Sequence, residues 1–176
     1  MPQSRVFFAL PPPPAVRDAL ARLAGAAAKR VEGRATRADS IHLTLAFVGD
    51  VDVAKLPLLD SIGSRIRGAP FMLALDTEGG FRRARVARIA PSHAPDALRA
   101  LQQALAQALT GDGFRLEARP FAAHVTLARH CRSLPEASAA VAPVDWPVHH
   151  FALWESSGVA GGARYREIGR WMLRGD

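Results

Sequence analysis

Two five-residue stretches carry the side chains that acid–base chemistry near pH 7 requires. They are HLTLA, His42 to Ala46, and HVTLA, His124 to Ala128. Imidazole can give or take a proton near neutrality. A hydroxyl two residues further on can donate a hydrogen bond to an anionic oxygen. Strands send alternate side chains to opposite faces. As strands, the two stretches would place His42 and Thr44 on one face and Leu43 and Leu45 on the other. His124 and Thr126 would likewise oppose Val125 and Leu127. Two such strands facing each other would surround one cleft with two His and two Thr. One imidazole could then serve as base and the other as acid. That set suits in-line displacement at phosphorus without a metal, the base activating the incoming oxygen and the acid protonating the departing one.

The repeated H-x-T-L resembles the signature of the two-histidine (2H) phosphoesterase superfamily. Its surroundings are similar, more narrowly, to the bacterial RNA 2',3'-cyclic phosphodiesterases, also called 2'-5' RNA ligases. The similar text is RVFFALPPP at the start, SIHLTLAFVGD at the first motif, FAAHVTLAR at the second, and a Ser and Gly ahead of RYREIGRWML. The resemblance runs over nearly the whole chain. It departs at Ala123, where the family often has Pro before the second His.

The resemblance implies an α+β fold: one bilobal domain over residues 1–176, with two pseudo-symmetric lobes of antiparallel or mixed sheet, outer helices and the active-site cleft between the lobes. It implies cofactor-free hydrolysis of 2',3'-cyclic phosphate ends of RNA, or of the nucleotide, to 2'-phosphomonoesters, with 2'-5' ligation as the reverse reaction. His42 would protonate the departing ribose oxygen and His124 would take a proton from water, with the opposite assignment left open. Thr44, Thr126 and Arg129 would hold the non-bridging oxygens. Two other readings stand beside this one. The same chemistry could act on 2',5'-linked oligonucleotides or an ADP-ribose cyclic phosphate. A basic RNA-binding module could use the same cleft without catalysis.

Arg129 poses a problem of parity. It shares the parity of Val125, so an unbroken strand would point it away from His124. Only a twist, a bulge or a strand end can turn it into the cleft.

The elements that must position these residues follow from pattern. Arg5 to Leu10 reads as a buried strand and Pro11 to Pro14 as a rigid turn into a helix reaching about Lys29. Arg34, Thr36 and Arg37 lead to the first motif as a loop or a basic rim. From Ile41 to Val48, Ile41, Leu43, Leu45 and Phe47 alternate with His42, Thr44 and Ala46, and Gly49 and Asp50 read as a turn. Asp52 reads as the cap of a helix with apolar positions Leu56, Leu59, Ile62 and Ile66, starting late because of Pro57. Phe71 to Asp76 reads as a strand ended by a turn at Gly79 and Gly80. Arg82, Arg83, Arg85 and Arg88 form the densest basic cluster, a solvated strand face or an RNA-backbone contact. Val86 to Ala90 reads as a strand. Leu98, Leu101, Leu105 and Leu109 mark a helix over 94–110. Phe121 to Arg129 is the second motif strand. Val148 to Glu155 and Tyr165 to Leu173 are the last two strands, joined by the Gly-rich stretch from Ser156 to Ala163. Trp154, Tyr165 and Trp171 read as core, or as surfaces for a base.

Composition bounds the partners. The chain has 176 residues, 49% hydrophobic and 22% charged, with a formal charge of +7. That length and balance fit one globular domain with a real core. Nearly all of the positive charge is Arg, which favours phosphate-bearing partners, although Arg, Ala, Gly and Pro also rise together in high-GC genomes. Cys131 is the only cysteine, which excludes an internal disulfide and a cysteine metal cluster. Val6 to Leu10 is too short for a signal-peptide core, and no apolar run reaches membrane-spanning length. The expectation is a cytoplasmic monomer.

Overall fold

In the computed structural model, which describes residues 1–160 and 162–175, the chain is α+β, with three helices and nine strands. Gly161, inside the expected Gly-rich connection, and Asp176 lie outside the described residues. In chain order the elements are β1 (Gln3–Leu10), α1 (Pro14–Arg30), β2 (Arg34–Ala35), β3 (Leu43–Asp52), α2 (Leu56–Arg65) and β4 (Phe71–Phe81). There follow β5 (Val86–Ala90), α3 (Asp96–Gly111), β6 (Val125–Arg129), β7 (Ala139–Val148), β8 (His150–Val159) and β9 (Gly162–Met172). The sheet runs β7-β4-β5-β6-β3-β1-β8-β9, with β2 added to β6. Every described pairing between these strands is antiparallel.

One continuous sheet replaces the expected pair of sheets, but it is narrow at its middle. The four-strand half β7-β4-β5-β6 meets the half β3-β1-β8-β9 through a single residue pair, Leu43 with Val125. These are the residues directly after His42 and His124. Helix α1 packs on β6 and β7, whereas α2 packs on β8 and β9 and α3 on β3. The main core lies between helices and sheet. It draws Phe8 and Leu10 from β1, Leu20 from α1, Leu43 and Leu45 from β3, and Val125 and Leu127 from β6. The Leu98, Leu101, Leu105, Leu109 stripe of α3 is fully buried there, as its helical spacing requires.

Several expected boundaries move, each for a local reason. Gly49 lies inside β3, not in a turn; its φ of +88° is a left-handed geometry that glycine adopts without strain. Gly79 and Gly80 lie inside β4. They serve close approach: a Cβ at Gly79 would stand 2.4 Å from Ser138 Oγ, and one at Gly80 2.8 Å from Leu134 Cδ2. Helix α2 begins at Leu56, because Pro57 falls in its first turn, where no backbone N–H is needed. Asp52 does accept from the Ala54 N–H, at 2.9 Å. Strand β7 was not expected; it carries Pro143 and Pro147 and forms at the sheet edge, where a missing N–H is tolerated. The last hairpin extends through Ser156 and Ala163 as paired strand.

Candidate active site

His42 and His124 do not lie within strands, as expected from alternation, but one residue before them. That position frees each ring to bond backwards. His42 Nδ1 lies 2.7 Å from the Ser40 carbonyl, and His124 Nδ1 lies 2.7 Å from the Ala122 carbonyl. A carbonyl oxygen only accepts, so each neutral ring carries its proton on Nδ1 and leaves Nε2 as the basic atom. His42 Nε2 stands 3.0 Å from Thr44 Oγ1, whose hydroxyl can donate to it.

The two motif strands share one irregularity. Phe8 pairs with Ala46 and Ala9 with Thr44, so Leu45 has no partner across the ladder. Ala87 pairs with Ala128 and Arg88 with Thr126, so Leu127 has none either. Each is a bulge at the same Leu of H-x-T-L-A. Beyond it the alternation reverses. Leu43 to Phe47 and Val125 to Arg129 therefore show the same sequence of buried and open positions. The Thr36 N–H captures the freed Leu127 carbonyl at 2.8 Å. The bulge answers the parity problem: Arg129 turns to the cleft. It also overturns the reading of Phe47 as a core residue. Phe47 is 38% exposed and faces the cleft, with the Arg5 guanidinium over its ring at 5.3 Å.

A cleft of about 650 Å³ opens here, with walls from both halves of the sheet. His42, Thr44, Thr126 and Arg129 all line it, with Arg5, Arg34 and Arg37 also on its walls and no carboxylate among its described lining residues. Arg37 is held by Asp39 through two hydrogen bonds. Thr36 also lines the cleft, and its hydroxyl is buried without a partner. His130 follows Arg129 at the rim in a left-handed conformation, φ +56°. His124 is not itself on the cavity wall. It joins the site through electrostatic contact with His42 and Arg129.

The two rings sit in unlike surroundings. Phe7, Trp154 and Tyr165 enclose His42 with ring centroids at 4.9, 5.2 and 5.3 Å. Phe81 stands edge-on to His124 at 4.9 Å. Burial drives the His42 pKa down to about 4; the Ser40 carbonyl opposes this, and the positive charges of Arg129 and His124 add to it. His124 is also lowered, by burial first, against its Ala122 bond and with help from Arg88 and Arg129. Arg129 therefore acts on both imidazoles.

Of the residues singled out by sequence, His42, Thr44, Thr126 and Arg129 line this one cleft, and His124 lies near enough for its charge to act on His42. Trp154 is buried, as expected, but against His42 rather than in the main core. Phe47 and Phe7 were missed as site residues, because only the bulge and the sheet order reveal their facing. Among the described residues no three His, Cys, Asp or Glu side chains cluster as a metal site. No helix is long and apolar enough to cross a membrane.

A fold and site of this kind have relatives. The family model of the 2'-5' RNA ligase superfamily matches residues 10–160, and the chain belongs to that family. The chain is 32% identical to the RNA 2',3'-cyclic phosphodiesterase of Escherichia coli, over 96% of each chain. It is 29% identical to the Thermus thermophilus protein of the same name, over 98% of this chain and 91% of the relative. A crystal structure of E. coli LigT with 3'-AMP superposes with a TM-score of 0.89 at 31% identity, covering 98% and 99% of the two chains. LigT has also been crystallised with NADP+ and with ATP.

Proposed function

We propose that this chain hydrolyses 2',3'-cyclic phosphate ends of RNA to 2'-phosphomonoesters, by two-histidine acid–base catalysis and without a metal. The observation that supports this most is the pair of imidazoles, each fixed by a carbonyl two residues earlier, with His42 feeling the charge of His124 and Arg129 acting on both. We read the two four-strand halves as the pseudo-symmetric lobes, with the narrow β3–β6 join as the floor between them.

Water attacks phosphorus opposite the 3' oxygen. His124 takes the water proton on Nε2, the P–O3' bond breaks, and His42 delivers a proton from Nε2 to the departing oxygen. The products are a 3'-hydroxyl and a 2'-phosphomonoester. Thr44, Thr126 and Arg129 donate to the non-bridging oxygens, where charge grows in the transition state. At the cleft mouth, Phe47 backed by Arg5 offers a flat apolar surface on which the terminal base can stack. With a 5'-hydroxyl attacking phosphorus in place of water, the same steps form a 2'-5' linkage: His124 takes the hydroxyl proton, the P–O3' bond breaks and His42 protonates O3'.

His42→Ala and His124→Ala should each lower kcat by at least about a hundredfold, the low end for losing a general acid or base. RNA affinity should change far less. A non-catalytic RNA-binding role predicts the opposite: no turnover to lose, and binding that both substitutions leave intact.

A further inference from the structure

Arg88 is a cation beside His124 that this chemistry leaves unused. It lies in β5 directly opposite Gly79 of β4 and Thr126 of β6. Residues paired in this way project from the same face, so Arg88 shares the face of Thr126. Gly79 contributes no side chain, and a Cβ there would stand 3.6 Å from Arg88 Nη2. The head of Arg88 therefore extends across β4. There the guanidinium lies 4.9 Å over the Phe81 ring, the same ring that stands edge-on to His124.

Among the described residues this guanidinium has no carboxylate partner. Arg30, Arg65, Arg166 and Arg170 each hold an acidic partner. Among the described residues Arg88 has no hydrogen bond and no ion pair, and its Nε is buried without a partner. A half-buried cation without a counter-charge is costly, and the face of Phe81 offsets only part of that cost. The fold does not require it: Ala9 holds the matching place in the other half of the sheet, opposite Thr44. An anion supplied from outside would complete the pair. Arg88 reaches over Gly79 of β4 and, like His124, is not on the wall of the cavity where Arg129, Thr44 and Thr126 converge; a phosphate next to the reacting one would lie over β4.

Resting on the proposed reading of the cleft, we infer that Arg88 holds a second phosphate of the substrate, the phosphodiester one nucleotide before the cyclic end. The preferred substrate class is therefore an oligonucleotide end and not an isolated cyclic mononucleotide. Guanidinium is suited to this, since its N–H fork matches two phosphate oxygens.

The test compares kcat/KM for a short RNA ending in 2',3'-cyclic phosphate with that for a nucleoside 2',3'-cyclic phosphate, in the wild type, Arg88→Gln and Arg88→Lys. Gln keeps a planar head over Phe81, and Lys keeps the charge. The wild type should prefer the RNA. Arg88→Gln should lower the ratio of RNA to mononucleotide by about tenfold or more, as expected for one charge-assisted hydrogen bond, and Arg88→Lys should restore part of it. The salt dependence of log kcat/KM on the RNA should become shallower by about 0.7 in Arg88→Gln, the single-strand value for one phosphate. An unchanged ratio, whether both rates fall together or neither falls, would overturn the inference alone. A wild type inactive on both substrates would overturn the reading of the site and this inference with it.

Discussion

The most exacting test of the site's electrostatics is the titration of His42 in the empty and the occupied cleft. Burial among Phe7, Trp154 and Tyr165, with the charges of Arg129 and His124 nearby, holds its pKa at about 4, against the usual 6.5. That displacement corresponds to roughly 3 to 4 kcal/mol against the imidazolium. A single anionic oxygen about 4 Å away is worth about 4 kcal/mol at the effective dielectric of a half-open site. Bound phosphate should therefore cancel the displacement and return His42 to near neutrality. In that state it can carry the proton that the departing oxygen needs. The assay is an NMR pH titration of the labelled imidazoles, without ligand and with saturating nucleoside 2'-monophosphate. The expected result is a His42 midpoint near 4 in the free protein and a rise of roughly three units in the complex. A free-protein midpoint at or above 6.5 would refute the burial argument. A midpoint that stays near 4 in the complex would make His42 the base and His124 the acid.

The same displacement bears on stability. Between about pH 6.5 and 4 the unfolded chain binds a proton at His42 that the native chain does not, so stability should fall as pH falls through that window. Urea unfolding of His42→Asn against wild type at pH 7 and pH 4.5 should show a shallower loss in the variant; equal slopes would contradict this. Thr44→Ala and Thr126→Ala should each lower kcat by about a hundredfold with little change in KM, since each removes one donor to developing charge. Equal losses in KM alone would mean that the hydroxyls bind the ground state only. Phe47→Ala should raise KM several-fold and leave kcat near wild type; a fall in kcat at constant KM would exclude a stacking surface.

How much of this could be read from the sequence depends on what each feature rests on. The H-x-T-L repeat and the leucine stripe of α3 declare themselves, because periodicity and residue type are local properties. The bulges at Leu45 and Leu127 do not. A bulge depends on which neighbour a strand pairs with, and nothing in HLTLA or HVTLA names β1 or β5. Arg129 could be suspected only because its parity conflicted with the role that the resemblance implies. Phe47 raised no such conflict and was placed in the core. Gly79 and Gly80 were read as a turn because dipeptide preference carries no information about Ser138 and Leu134 passing overhead. Strand β7 was missed because its prolines are tolerated at an edge, and edge position is a property of the whole sheet. Placing both histidines inside strands failed for a similar reason: the halves join at one residue pair, and that join sets where each strand begins.

The central claim is that two imidazoles open a cyclic phosphate with no help from a metal. It is tested most directly by incubating the protein with nucleoside 2',3'-cyclic phosphates in EDTA and following the products by phosphorus NMR. The account predicts conversion to the 2'-phosphomonoester alone, undiminished by the chelator and abolished in His42→Ala with His124→Ala. A 3'-phosphate product, activity that EDTA removes and a divalent metal restores, or turnover that survives the loss of both histidines would contradict it.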